Sequence, residues 1–394
     1  MKNLLLFLSI GFTAASFSQS AGISFTTNAP GLEVAPISEN KTTSWIYYTR
    51  FLNDKTIAFS GPDSSVHLLD LTNLSSKRIN GMQGKPDAFA FSKNGKWMVA
   101  TSVDNEIKFW DLKTGKVKYS YGEYAPGYVN TKRMWFFPGD ETFAISGSCD
   151  FGVRNTVDGT IGDTIKGMPD ECAYVLAYTK DGSKIYAGGN SNVWLYDLKL
   201  KKVLATKNIE KISVVTDVAL SPDQKSLVVA GREGMLLLNA DLSDKFELKG
   251  HTDWINGIKF SSSGKFLYTC AGSMFGKDRS VKIWNPVSGA CVKTMEGHTE
   301  DVDALDVSPN GKLIVTGSRD NTIKVWNSKT QQLVCTVVPM IINNEMKFFF
   351  YTPSGILYGP NEFFSLTTVK KDGTEITSAP IDEAAKAKII KVFK

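Results

Sequence analysis

Short hydrophobic runs alternate with polar turns along most of this chain, and the alternation repeats as a phrase. Each phrase reads as a hydrophobic strand, a polar turn, a second strand, an Asp or Gly turn, and a third strand ending near Trp-Asp. The polar turn appears as Leu52-Asn-Asp-Lys55, Ser92-Lys-Asn-Gly95, Pro138-Gly-Asp-Glu141 and Thr179-Lys-Asp-Gly182. It continues as Ser221-Pro-Asp-Gln224, Ser261-Ser-Ser-Gly264, Ser308-Pro-Asn-Gly311 and Thr352-Pro-Ser-Gly355. Gly and Asn tolerate positive φ, so such tetrapeptides between β-rich runs predict hairpins. The copies start 40 to 47 residues apart. Self-similarity at that period predicts an all-β propeller of four-stranded antiparallel blades.

Eight three-strand units are visible, at 45–71, 86–112, 128–158, 171–198, 213–240, 254–286, 301–328 and 345–370. Fourth strands are expected after most of them, as at Val117–Tyr121, Val203–Thr206, Cys291–Met295 and Leu333–Val337. The count favours eight blades, with seven as the alternative if a terminal unit packs outside the ring. Closure is expected from Gly22–Thr26 added to the last blade, or from Thr374–Ser378 as that blade's own fourth strand; either would cover an edge. The predicted organisation is residues 1–18 as a leader, 19–39 as an N-terminal segment, 40–380 as the propeller, and 381–394 as a basic tail. That tail predicts a short helix over Asp382–Lys391, expected to lie in solvent.

The third strands end at Leu69-Asp70, Trp110-Asp111, Tyr196-Asp197, Trp284-Asn285 and Trp326-Asn327. Six residues before the first member of each pair stands an acid or its amide: Asp63, Asp104, Asn190, Asp278 and Asp320. Gly250-His251 and Gly297-His298 precede two of the units. With these residues the chain resembles the WD40-repeat family, most specifically between Gly297 and Asn327 and in the unit before it. The resemblance implies a hydrogen-bonded network of His, Ser or Thr, Asp and Trp in each complete repeat. His298, Thr316, Asp320 and Trp326 match all four places. His251, Asp278 and Trp284 match three, with Ala271 counted at the hydroxyl position, and Asp104 and Trp110 match two. These groups are expected to hold blades together, since a buried indole N–H and imidazole need partners.

Composition narrows the chemistry. The 394 residues carry a net charge of +5 without clustering, which predicts no nucleic-acid footprint. Only three histidines exist, and His251 and His298 are assigned to blades, leaving His67 inside a strand. No phosphate loop, dinucleotide fingerprint, nucleophile elbow or paired-cysteine motif occurs, so no catalytic residue, metal or cofactor is expected. Asp63, Asp104, Asp150 and Asp278 are the carboxylates a channel-mouth calcium or lactonase-type site would draw on, but their repeat register points to turns. Five widely spaced cysteines predict buried thiols rather than a disulfide scaffold.

Residues 1–18 read as a secretory signal: Lys2, an apolar run from Leu4 to Phe12, and small residues Ser16 and Ser18 before Gln19. That predicts an exported, periplasmic or extracellular chain without a transmembrane segment, a single ring, and a protein partner of the cell envelope. The family resemblance implies recruitment at the rim made by the d–a and b–c loops. There Trp254 and Asp301 occupy one aligned position, Lys277 and Arg319 another, and Phe275 stands in the inserted loop Ser273–Gly276. A Trp beside basic residues has the composition of an interface anchor. Tyr121–Tyr128 is a second aromatic loop suited to a peptide or glycan. A small-ligand, glycan-binding or hydrolytic propeller using its central channel is the competing class.

Overall fold

The computed structural model describes residues 23–27, 46, 48–61, 63–102, 106–121, 134–146, 151–165, 173–232, 234–273, 276–342, 345–360, 367–371, 374–376 and 383–393. Seven antiparallel blades form a ring, not eight. Their strands a to d run within Thr49–Ile79, Pro86–Tyr121, Met134–Ile165, Ala173–Asn208, Val215–Glu247, Ile255–Met295 and Val302–Ile342 for blades 1 to 7. Strand a of each blade lies toward the axis and strand d at the circumference. Successive blades pack side by side, and blade 1 packs against blade 7 to close the circle.

The local chemistry follows the repeat. In the a–b turn of blade 7 the Ser308 carbonyl accepts from the Gly311 N–H at 2.7 Å, and Gly311 takes φ 70°. The Asp or Asn after the third-strand aromatic position makes the c–d turn. Asp111 Oδ1 accepts the N–H groups of Lys113 and Thr114, and Asn327 Oδ1 those of Lys329 and Thr330. These Asx turns explain why an acid or amide ends strand c.

The eighth unit does form strands, but on the outside of blade 7. Gln332–Ile342 runs on for eleven residues instead of stopping at the length of a normal strand d. From Thr336 onward it pairs with Glu345–Tyr351, which pairs in turn with Leu357–Tyr358, giving blade 7 six strands. The hydrophobic run Val334-Cys-Thr-Val-Val-Pro-Met-Ile-Ile342 contains no polar turn to send the chain back to the axis. Phe348, from the added hairpin, meets the Phe59 and His67 rings of blade 1 at 5.7 and 6.0 Å. The addition therefore spans the seam between the last and first blades.

Closure also differs from both sequence expectations. Ile23–Thr27 pairs with Thr367–Lys371, which pairs with Thr374–Ile376, in a three-stranded sheet separate from every blade. Blade 7 supplies its own strand d from Gln332 onward. The seam is held by side chains and close backbone approach. The Ile46 N–H donates to the Ser318 carbonyl at 3.2 Å, and a Cβ on Gly317 would lie 2.8 Å from Ile46 Cγ2. One apolar cluster joins Ile57, Phe59 and Leu69 of blade 1 to Val315, Val325 and Val337 of blade 7.

Helix α1, Glu383–Val392, lies over this same cluster. Ile389 is fully buried, with Ile390 and Phe393 packed beside it, so the tail is docked rather than solvated. Lys386, Lys388 and Lys391 interrupt the apolar residues there and mask the face that docks. Cys270 and Cys335 are buried as expected, whereas Cys291 is exposed on strand d of blade 6; Cys149 and Cys172 lie outside the described residues. Among the described residues no helix is long and apolar enough to cross a membrane.

Candidate functional site

Two neighbouring blades carry the same four-residue chain of hydrogen bonds. In blade 7 the Trp326 indole N–H donates to Thr316 Oγ1 at 3.0 Å, and Thr316 Oγ1 lies 2.8 Å from His298 Nε2. His298 Nδ1 lies 2.8 Å from Asp320 Oδ2. Asp320 also accepts from the Thr299 and Thr322 N–H groups and the Thr322 hydroxyl. The directions fix the proton positions. Thr316 accepts from the indole, so its own hydrogen goes to Nε2, which leaves Nδ1–H to donate to an ionised Asp320.

Blade 6 holds the same chain complete, which corrects the sequence assignment. Its hydroxyl is Thr269, 2.7 Å from His251 Nε2 and 2.8 Å from the Trp284 indole nitrogen; Ala271 lies at the end of strand b. His251 Nδ1 meets Asp278 Oδ2 at 2.7 Å. The hydroxyl and the Trp are ten residues apart in blade 7 but fifteen in blade 6. Counting back from Asp278 misses Thr269, because the residues added to the b–c loop fall between them. In blade 2 the Trp110 indole donates to the Asn80 carbonyl instead, and Asp104 lies outside the described residues. Asp63 is engaged by His67, Ser65 and Arg78, all on blade 1. Asp150 lies outside the described residues.

The chain in blade 7 makes stability depend on pH. Burial pushes the His298 imidazole below its usual range. Against burial, the electrostatic attraction and hydrogen bond of His298, the nearby Lys324 and the Thr322 hydrogen bond hold Asp320 well below the usual carboxylate range. Both groups are thus less protonated when folded than unfolded, so the unfolded chain gains protons as pH falls and stability falls with it. From this chain of hydrogen bonds alone, denaturant melts should show a first loss of stability below about pH 6.5 as unfolded histidine protonates and a second below about pH 4 as unfolded aspartate does, while the raised Asp303 carboxyl works in the opposite sense between them. Replacing His298 by Gln should remove the first step.

Above these chains lies the rim expected to recruit partners. Trp254 stands at the start of strand a in blade 6 with 40% of its surface exposed, while the next residue, Ile255, is buried. The Arg232 guanidinium lies over the Trp254 ring, 4.1 Å from its centroid. Lys277 is exposed on the b–c loop of the same blade, and Phe275 lies outside the described residues. Arg279 is paired with Glu300 at 2.9 Å.

Asp301 does not face solvent as the alignment suggested, and Arg319 is half-buried. Asp301 is 4% exposed and lies 3.2 Å from Arg319 Nη1. Arg319 Nε donates to Asp303 Oδ2 at 2.8 Å and its Nη2 to Asp303 Oδ1 at 3.3 Å. Burial pushes the Asp303 carboxyl up to about 6, against the pull of Arg319. The reason for Asp301's burial is the neighbouring blade. Gly272 comes so close that a Cβ there would lie 2.6 Å from Asp301 Cα. The Asn256 side-chain amide binds the Gly272 and Val302 carbonyls, at 2.9 and 3.1 Å, and so ties blade 6 to blade 7. Arg319, Asp301 and Asp303 thus form a fixed base beside an exposed Trp.

Sequence reasoning missed Arg232, Asn256 and Asp303. Arg232 follows strand b of blade 5 at the same offset as Arg319 follows that of blade 7, a signal the repeat contained. Asn256 and Asp303 lie where the ladder register shifts at the second residue of strand a. A β-bulge turns that residue out of the alternation, so periodicity alone does not place it.

Three segments, residues 76–111, 243–285 and 289–327, match the family model described as WD domain, G-beta repeat, and the chain therefore carries WD40 repeats. It is similar to eukaryotic translation initiation factor 3 subunit I of Neosartorya fischeri, 40% identical over 22% of this chain and 24% of that protein. It is also similar to COMPASS component SWD3 of Saccharomyces cerevisiae, 24% identical over 44% of this chain and 53% of that one. The WD repeat-containing protein WDS homolog of Arabidopsis thaliana is 23% identical over 71% of this chain and 55% of its own. The chain thus spans between about a quarter and about half of the length of these relatives.

Proposed function

We propose that this chain is an exported, non-catalytic platform that holds a protein partner of the cell envelope on the rim of blades 5 to 7. The observation that carries the reading is Trp254, exposed beneath Arg232 on a rim where Arg279 is already paired with Glu300 and Arg319 with Asp301. Aromatic and arginine side chains are the commonest anchors of interfaces. A closed ring presents them with little ordering left to pay for at binding. Two of the relatives are named as a subunit and a component of larger assemblies, which agrees with a platform. Export rests on Lys2, the apolar run Leu4–Phe12 and the Ser16/Ser18 pair before Gln19.

One experiment addresses both parts. The protein is purified from cells that make it, its mass is measured, and it is then used as bait in native envelope extract beside Trp254→Ala. The expected mass begins at Gln19, and the expected partner is retained by the natural chain and lost from the variant, which melts at the same temperature. A retained residue 1 would overturn export. A partner held equally by the variant would overturn the rim.

A further inference from the structure

The central channel holds a group the platform reading does not use. A cavity of about 380 Å³ runs between the inner strands, bounded by Tyr48, Arg50, Trp135, Tyr178, Asp217 and Lys259 among others. That volume lies at the lower end of small-molecule sites, which span about 300 to 1,000 Å³. It extends along blade 6 from Asn256 to the a–b turn at Ser261 and Ser262, while Trp254 lies outside its lining.

Arg50 is the unusual member. Its guanidinium lies over the Tyr48 ring, 5.0 Å from the centroid, and among the described residues no carboxylate comes within ion-pair distance of it. The carboxylates that act on it at longer range are committed elsewhere. Asp217 accepts the Val218 and Ile258 N–H groups, at 2.9 and 2.8 Å. Asp306 accepts the Phe51 N–H at 2.9 Å and lies 3.5 Å from Lys259 Nζ. Asp303, on the same wall, is held by Arg319. Against the desolvation of its half-buried position, Tyr48, Asp306 and Asp217 keep Arg50 charged. A guanidinium offers a planar fork of donors matched to a carboxylate. The walls beside it are the rings of Tyr48, Trp135 and Tyr178, which favour a flat, unsaturated body.

We propose that the channel binds a small aromatic carboxylate, its acid group on the Arg50 fork and its ring against Tyr48, Trp135 and Tyr178. This site is independent of the Trp254 rim, and either can fail without the other. The probe is benzoate, titrated calorimetrically into the full mature chain, with inorganic phosphate as the comparison anion. Benzoate should bind and phosphate should bind far more weakly, because phosphate has no ring to stack. Arg50→Gln should weaken benzoate by about 10- to 100-fold, the range for losing a charged hydrogen-bonded pair. Arg50→Lys keeps the charge without the fork and should fall between the two, which preserves the test if the Gln variant does not fold. Absence of benzoate binding, equal binding of phosphate, or undiminished binding by a folded Arg50→Gln or Arg50→Lys chain would each overturn the proposal.

Discussion

Trp326→Ala should lower the unfolding free energy by about 3 to 5 kcal/mol, the usual cost of truncating a buried large aromatic. Trp326 is 3% exposed, and its ring packs among Tyr268 and Ile283 of blade 6 and Leu305 and Ile314 of its own blade. Truncation opens a cavity at the boundary between two blades. It also removes the indole N–H that Thr316 accepts, which unsettles the direction of the Thr316–His298–Asp320 chain. Trp326→Phe keeps most of the volume and loses only the donor. It should cost nearer 1 kcal/mol, about the net worth of one hydrogen bond. Chemical denaturation of the two variants separates packing from hydrogen bonding. A near-neutral alanine variant would contradict the burial of this ring.

Arg319→Ala should be comparably severe, by about 3 to 5 kcal/mol near pH 8, because it strips the counter-charge from two carboxylates at once. Asp301 and Asp303 both lie on this one guanidinium, and both side chains are largely shielded from water. Without Arg319 they must be buried as adjacent charges or take up protons. Asp303 already has a pKa pushed up to about 6 with Arg319 in place, so removing the arginine raises it further. The loss should therefore shrink when the melts are repeated at pH 5, where protonation relieves the repulsion. Arg319→Ala/Asp303→Asn should recover part of the stability at pH 8. An exposed rim arginine would give neither the loss nor its pH dependence.

The sequence and the structure agree where a residue's neighbours are local. The a–b turns, the ending of strand c at an Asp or Asn and the helix near the C-terminus were all legible, because each is decided within a few residues. Placement is where they part. The Thr352–Gly355 turn was read as belonging to an eighth blade, and it is a turn, but its strands continue the sheet of blade 7 outward. No local rule distinguishes a strand that joins the ring from one that extends an edge; the choice rests on how many blades close without strain. The Trp254 position was read correctly as exposed, whereas Asp301 at the aligned position of the next blade is buried. Repeat alignment carries a residue's backbone place from blade to blade. It does not carry the close approach of Gly272, which belongs to one seam alone. The missing Thr269 was a matter of counting across a loop whose length differs between blades.

If Trp254 anchors a partner on the rim, as proposed, binding affinity reports it. Binding of the captured partner should be titrated for the natural chain, Trp254→Ala and Val287→Ala, the last a residue 86% exposed in the c–d turn of the same blade. Trp254→Ala should lose about 2 kcal/mol or more, some 30-fold. Val287→Ala should bind as the natural chain does, with all three chains melting alike. Equal affinities for all three, or a loss at Val287 as large as that at Trp254, would contradict the proposed anchor.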